Sequence, residues 1–475
     1  MIWQVIPLLV ISLVWMYWRY KNRRLLDMAK KIPGPPAVPL LGNALKFMCQ
    51  PEGMIKLIQV VKDLMTEYGG VLKFWLANDL NIVVSNPGDI KLLLTSNKTS
   101  AKGPQYKYMA DVLGVGMLSG ATWRKHRKIA TPNYGKKAIQ GYNDIFNIEA
   151  RSLTKTFQKV NNGEAIDIYK YIVQTTSWTV CRKMYDVVFE RMTKWYLQID
   201  PVFWLTNLYQ DQKYFMQVMD EFGMEIIKYR MKKLSNMEEK LDILNSEEDS
   251  STNTRLSVID RFILSNELNY REMIDETFTI FTSSQEASAK ISSFLLLMMA
   301  FHPTCQEKLY KEIKKVVGDK DTTVTDEHLR DMPYLDMVFK EVIRLFPIGG
   351  MIQRTVKEDI TISSCTLPAG SSLVIPVYHI QRDPKFWKDP NAFDPERFTP
   401  ENSKNRPTYS YIPFSLGPMD CLGRYFGAKL IKTIVVKILQ EFKVSSSKSY
   451  KDLRIAISIS VTSLDGHHAV LVPRH

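Results

Sequence analysis

Residues 414–423 read Phe-Ser-Leu-Gly-Pro-Met-Asp-Cys-Leu-Gly and carry the most distinctive chemistry in the chain. Cys421 sits between Gly417 and Gly423, with Phe414 seven residues ahead and about fifty residues left to the C-terminus. A single cysteine on a glycine-bracketed loop suits a thiolate aimed at a metal. The glycines let the backbone turn tightly and approach a flat ligand closely. Backbone N–H groups around the sulfur favour its thiolate form. A buried structural cysteine in a glycine turn is the competing reading. Cys421 is therefore the candidate metal ligand, and Phe414, Gly417 and Gly423 are candidate contacts for a flat cofactor.

Two further groupings are chemically suggestive. Trp123 and Arg127 lie four apart and share a face if the segment is helical. An indole N–H and a guanidinium on one face can bind a carboxylate, although a basic surface helix would show the same pattern. The preceding Gly114-Val115-Gly116 lacks the third glycine and the βαβ context of a dinucleotide loop. Glu341 and Arg344 are three apart on an expected helix. Alone they read as a solvated salt bridge, but Pro395-Glu396-Arg397-Phe398 follows about fifty residues later.

These residues need a scaffold, and the pattern around them is mostly helical. Residues 271–309 run without glycine or proline until Pro303, longer than an ordinary globular helix. Short strand-like segments fall near 72–75, 81–84, 360–362 and 372–375. Residues 235–255 are polar and acidic and read as an exposed loop. The expected fold class is mainly α with a small β region.

The chain has 475 residues, a net charge of +13 and 45% hydrophobic residues, enough to build a core around a cofactor. Its five scattered cysteines have no metal or redox spacing and argue against a disulfide framework. No basic stripe with interleaved aromatics points to nucleic acid, so nucleic acid is not an expected partner. An anionic membrane or an acidic electron donor explains the charge equally well. Residues 1–18 carry no charged side chain. Roughly 17 helical residues span about 26 Å, close to a thin bilayer. Arg19, Lys21, Arg23, Arg24, Lys30 and Lys31 follow, which predicts a cytosolic side for the rest. Positive charge after the apolar run disfavours a cleaved signal peptide. The expected organisation is an anchor over 1–18, a basic flank and proline-rich hinge over 19–42, and one body over 43–475.

Taken together, the Cys421 loop, Trp123 with Arg127, Glu341 and Arg344 with Arg397, and the anchor resemble a microsomal cytochrome P-450 of the family-4 clan, in an insect-like version. The resemblance covers essentially the whole chain. It implies a cytochrome P-450 fold, and haem b held by the Cys421 axial bond. It also implies propionate contacts from Trp123, Arg127 and Arg354, with Glu341, Arg344 and Arg397 as a structural lock under the loop. The implied activity is insertion of one oxygen atom from O₂ into an apolar substrate such as a fatty acid, hydrocarbon, hormone or xenobiotic. Electrons would come from NADPH through a membrane reductase, NADPH-cytochrome P-450 reductase, with cytochrome b5 as a second donor. The implied location is the endoplasmic reticulum membrane, by a single N-terminal anchor, with the catalytic body cytosolic.

The same resemblance exposes departures. Counting back from His302-Pro303 puts Glu286 at the family's acid position and Ala287 at its threonine position. Alanine has no hydroxyl to donate, so Glu286 and Ser288 become the candidate proton relay. Ser284 replaces a glycine. Met419 stands where an arginine usually meets a propionate. Ser283 stands where many family-4 members carry a glutamate esterified to haem, so the haem is expected to be non-covalent. After Cys181 the chain is some twenty residues short, and a helix there is expected to be lost or rebuilt. Residues 109–118 and 203–214 are expected to wall the substrate pocket. Two other readings stay open: a degenerate haem-binding protein with little turnover, and an O₂-independent haem-thiolate isomerase or dehydratase.

Overall fold

The computed structural model describes residues 2–47, 53–114, 120–173, 176–235, 256–457 and 460–474. Its axis is a 32-residue helix, Tyr270–Phe301. The start is fixed by a reciprocal cap. Asn269 Oδ1 accepts from the Glu272 N–H, and Glu272 Oε2 accepts from the Asn269 N–H, each at 2.9 Å. The end is fixed by Pro303, which forces His302 out of helical geometry. The expected run over 271–309 is therefore two helices, the second being Pro303–Val316.

The C-terminal half of the long helix is apolar on every side and threads the main core. Phe294 there stacks on Phe346 with centroids 4.1 Å apart. The helices Pro333–Leu345 and Arg424–Glu441 pack in the same cluster. Arg424–Glu441 starts three residues after Cys421, so the core fixes one end of the cysteine loop.

The β elements are short and antiparallel pairing predominates. Strands β1 (Val71–Leu76), β2 (Asp79–Val84), β3 (Ala101–Lys102), β5 (Ile352–Thr355) and β8 (Ser372–Ile375) form one sheet in the order β1-β2-β8-β5-β3. Between these come β4 (Ile166–Asp167), β6 (Ile360–Thr361) and β7 (Thr366–Leu367). Strands β9 (Phe442–Ser445), β10 (Ile455–Ile457), β11 (Val461–Ser463) and β12 (His468–Pro473) follow. β4, β12 and β9 form a three-stranded sheet, while β10 with β11, and β6 with β7, form two-stranded ribbons. All four strand-like segments expected from sequence are strands or overlap one.

Several expectations change in detail. The proline-rich hinge is docked on the sheet: the Lys73 N–H donates to the Pro33 carbonyl at 2.8 Å, and Asn43 bonds Pro36 and Trp75. A Cβ at Gly34 would stand 2.1 Å from the Lys73 carbonyl oxygen, so the approach needs glycine. Beyond Cys181 one continuous helix, Thr176–Thr193, is followed by a 3₁₀ turn, Trp195–Gln198, and short helix Asp200–Trp204. The expected acidic loop, residues 236–255, lies outside the described residues. So do residues 115–118 of the expected pocket wall.

The apolar N-terminal run lies in the helix Ile2–Lys21. Leu13, Val14, Met16 and Tyr17 are exposed, whereas Trp18 packs edge-on against Trp75 at 5.9 Å. Among the described residues no helix is long and apolar enough to cross a membrane. Cys305, Cys365 and Cys421 are free thiols; Cys49 lies outside the described residues, and nothing is described of the Cys181 side chain.

Candidate active site

The cysteine loop is held from three sides. On its N-terminal side the Cys421 N–H donates to the Phe414 carbonyl at 2.9 Å, closing the turn. Gly417 adopts φ +77°, and a Cβ there would stand 2.2 Å from the Leu94 carbonyl oxygen. The loop thus rests on the end of the helix Pro87–Thr95, and only glycine fits. Ser415 also sits at positive φ, +62°, a cost the surrounding contacts must offset. Gly423 behaves differently: its φ is −82° and a Cβ would meet nothing within 4 Å. Its lack of a side chain answers to no protein atom, and it borders open space beside the sulfur.

Cys421 is exposed. Nevertheless burial among surrounding protein pushes the thiol pKa up, against a hydrogen bond from the Gly423 N–H that pulls it down. The Gly423 N–H acts in the direction expected of the loop's N–H groups, and burial opposes it. A metal cation bound to the sulfur would supply the missing stabilisation.

The third support is the helix Ala121–Ala130, whose neighbouring residues reach in opposite directions. His126 Nδ1 meets Glu276 Oε1 at 2.8 Å on the long helix. Arg127 donates to the Asp420 carbonyl at 3.0 Å and to Asp420 Oδ1 at 2.9 Å on the cysteine loop. One helix therefore sets the distance between the long helix and the thiol. Arg424 also donates to Asp420 Oδ2, at 3.1 Å. Arg127 is thus engaged by protein. The Trp123 indole N–H, one turn earlier, has no hydrogen-bond partner among the described residues.

Arg354 lies on β5 and is 4% exposed. Its guanidinium donates only to the Gln353 carbonyl, at 3.0 Å, and to Ser415 Oγ, at 3.4 Å. It meets no carboxylate among the described residues, and burial lowers its pKa. Lys102 stands directly opposite in the β3–β5 register. Burial drives the Lys102 pKa down to about 7, and Arg354 and Arg127 push it the same way. Like charges opposite each other across strands destabilise a sheet. Two such cations without a counter-charge suit an anionic ligand. Sequence reasoning missed Lys102, because only strand pairing brings it to Arg354.

The lock under the loop is assembled. Glu341 and Arg344 are both fully buried and bonded twice, at 2.6 and 2.7 Å. Arg344 also donates to the Gln381, Pro390 and Ala392 carbonyls. Arg397 approaches Glu341 Oε1 at 3.4 Å and bonds the Asp389 carbonyl at 2.7 Å.

On the long helix, Thr279, Ser283 and Ala287 follow at four-residue intervals and share one accessible face. Ser283 turns its hydroxyl back onto the Thr279 carbonyl, at 2.7 Å. Glu286 and Ser288 flank that face and are buried. Glu286 is bonded to Lys290 and Ser460, at 2.7 and 2.6 Å. Neither Lys290 nor Ser460 was singled out from sequence.

The residues present fit a flat, anionic, thiolate-ligated cofactor. A lone sulfur is accessible on the loop, Gly423 leaves room beside it, and buried Arg354 and half-buried Lys102 meet no carboxylate among the described residues.

Comparison with known proteins points the same way. The family description "Cytochrome P450" matches residues 32–464. The chain is 29% identical to Cytochrome P450 4c3 of Drosophila melanogaster, over 96% of this chain and 91% of that protein. It is 28% identical to Cytochrome P450 4d1 of the same organism, over 90% of each. It is also 28% identical to Cytochrome P450 4V2 of Homo sapiens, over 88% of this chain and 85% of that protein.

Proposed function

The chain belongs to the cytochrome P450 family, in its family-4 insect-like branch, and on that premise we propose that it inserts one oxygen atom from O₂ into an apolar organic substrate with electrons drawn from NADPH through a membrane reductase. As a family member it is a haem-thiolate monooxygenase. When bound, haem supplies the oxygen chemistry, with the thiolate donating electron density to the iron. Cys421 is the proposed ligand, and the observation that carries this reading is a free, accessible thiol on a loop held by the close approach of Gly417 to Leu94 and by the Phe414 carbonyl.

The chain's own residues have distinct tasks in this reading. Arg354 and Lys102 neutralise propionate charge. Trp123 offers its free indole N–H to the same group. Arg127 fixes the loop through Asp420, which compensates in part for Met419, a side chain that cannot pair with a carboxylate. Phe414 and Gly423 would contact the cofactor when it is bound. Glu286 and Ser288 carry protons past Ala287, which has no hydroxyl to donate. Ser283 offers no carboxylate for an ester, so haem b is held without a covalent bond to the polypeptide. Acidified organic solvent should then extract it.

The substrate is proposed to be a fatty acid, hydrocarbon, hormone or xenobiotic, and cytochrome b5 a second electron donor. We place the protein in the endoplasmic reticulum membrane, anchored by residues 1–18, with the body in the cytosol. Support comes from the uncharged run, the exposed Leu13, Val14, Met16 and Tyr17, and the basic flank. Turnover with reductase, NADPH and isotope-labelled O₂ tests the reaction class. Label in the product supports monooxygenation. Product without label, formed without NADPH, supports the isomerase reading that the missing threonine hydroxyl keeps open.

A further inference from the structure

Glu286, Lys290 and Ser460 form a closed triangle between the long helix and the turn joining β10 to β11. Glu286 Oε1 accepts from Lys290 Nζ at 2.7 Å and from Ser460 Oγ at 2.6 Å, and Lys290 Nζ also bonds Ser460 Oγ. All three residues are buried, at 8%, 6% and 1% exposure. Every one of these bonds to Glu286 uses Oε1. Oε2 accepts no hydrogen bond from a described residue. Burying an ion pair costs desolvation that its attraction only roughly offsets, so an apolar pair would serve packing as well. Lys290 lies three residues after Ala287, on an adjoining part of the helix surface.

We propose that Lys290 is a positioning residue for proton delivery. With Ser460 it clamps Glu286 through Oε1 and leaves Oε2 as the oxygen that moves protons. In the step, Oε2 takes a proton from water and forms an O–H bond. That bond then breaks as the proton passes toward the Ala287 face, and the carboxylate regains its charge. No electron moves through the triangle. The inference rests on the reading of Glu286 as a proton relay.

Full-length protein loaded with haem, with reductase and NADPH but no added substrate, tests both. Oxygen that takes one electron and no proton leaves as superoxide; oxygen that takes two electrons from NADPH through the reductase and two protons leaves as hydrogen peroxide. Glu286→Gln and Lys290→Met should each raise the superoxide-to-peroxide ratio about tenfold, the effect of losing one charge-assisted hydrogen bond. Lys290→Arg should stay near the parent ratio. Infrared spectra of resting protein should show a protonated carboxyl band in Lys290→Met that vanishes in the Lys290→Met, Glu286→Gln double variant, because an unpaired buried carboxylate takes up a proton. An unchanged ratio in Glu286→Gln overturns the relay reading itself. A raised ratio in Glu286→Gln with no change in Lys290→Met overturns the role of Lys290 alone. So does a raised ratio in both Lys290 variants without the carboxyl band. If Lys290→Met does not retain haem, Ser460→Ala removes one donor to the same oxygen. It should raise the ratio by a smaller factor, and no change there overturns the clamp.

Discussion

Lys102 and Arg354 face each other across the antiparallel register of β3 and β5, one half-buried and one buried basic side chain with no carboxylate partner among the described residues. The pairing makes sense if an anionic group lies between the strands and the cysteine loop. Arg354→Met and Lys102→Met should each speed haem loss to apomyoglobin, and the double variant should lose it fastest. Charge-assisted hydrogen bonds to carboxylates are worth roughly 1.5–3 kcal/mol, so a rate increase of about tenfold or more is expected for Arg354→Met. Unaltered transfer in both variants would remove these residues from the cofactor site.

Gly417 and Gly423 should respond oppositely. Gly417→Ala combines a strained φ, roughly 1–3 kcal/mol, with a Cβ 2.2 Å from a backbone oxygen. It should lower the melting temperature of the apoprotein and of the haem-loaded protein alike. Gly423→Ala meets no protein atom and should leave apoprotein melting unchanged while weakening haem binding. Calorimetry with and without haem separates the two.

Glu341 and Arg344 are fully buried partners. Glu341→Gln leaves the Arg344 charge uncompensated and should cost roughly 3–5 kcal/mol. The damage should appear as poor haem incorporation, because Arg344 ties together the carbonyls of Gln381, Pro390 and Ala392 below the loop. Denaturant unfolding of the parent and the variant measures it.

His379 gives a pH signature. Burial lowers its pKa to about 4 from an ordinary 6.5, while Nε2 bonds the Ile58 carbonyl at 2.9 Å. Between pH 6.5 and about 4 the unfolded chain binds the proton that the folded chain refuses. Stability therefore falls as pH falls through that window. His379→Gln should flatten this part of the profile; an identical acid slope in parent and variant would contradict the assignment.

What the sequence disclosed was local or spaced by helical turns. The Cys421 loop, the Trp123–Arg127 spacing and the Glu341–Arg344 pair all stand as local patterns, and the helix-rich fold followed from the unbroken run before Pro303. Contacts closed across long stretches of chain were invisible. Ser460 is 174 residues from Glu286, and Asp420 is 293 from Arg127. Nothing in the local sequence around Arg127 signals its bonds to Asp420. Gly423 resembled Gly417 in sequence, yet only Gly417 has a backbone neighbour that demands glycine.

The difference spectrum of reduced protein with carbon monoxide tests most directly whether Cys421 is the thiolate ligand of haem. The parent protein should give the red-shifted Soret band of thiolate-ligated haem, and Cys421→Ser should abolish it. A Cys421→Ser variant that keeps the band, or a haem-loaded parent that never shows it, would contradict the account.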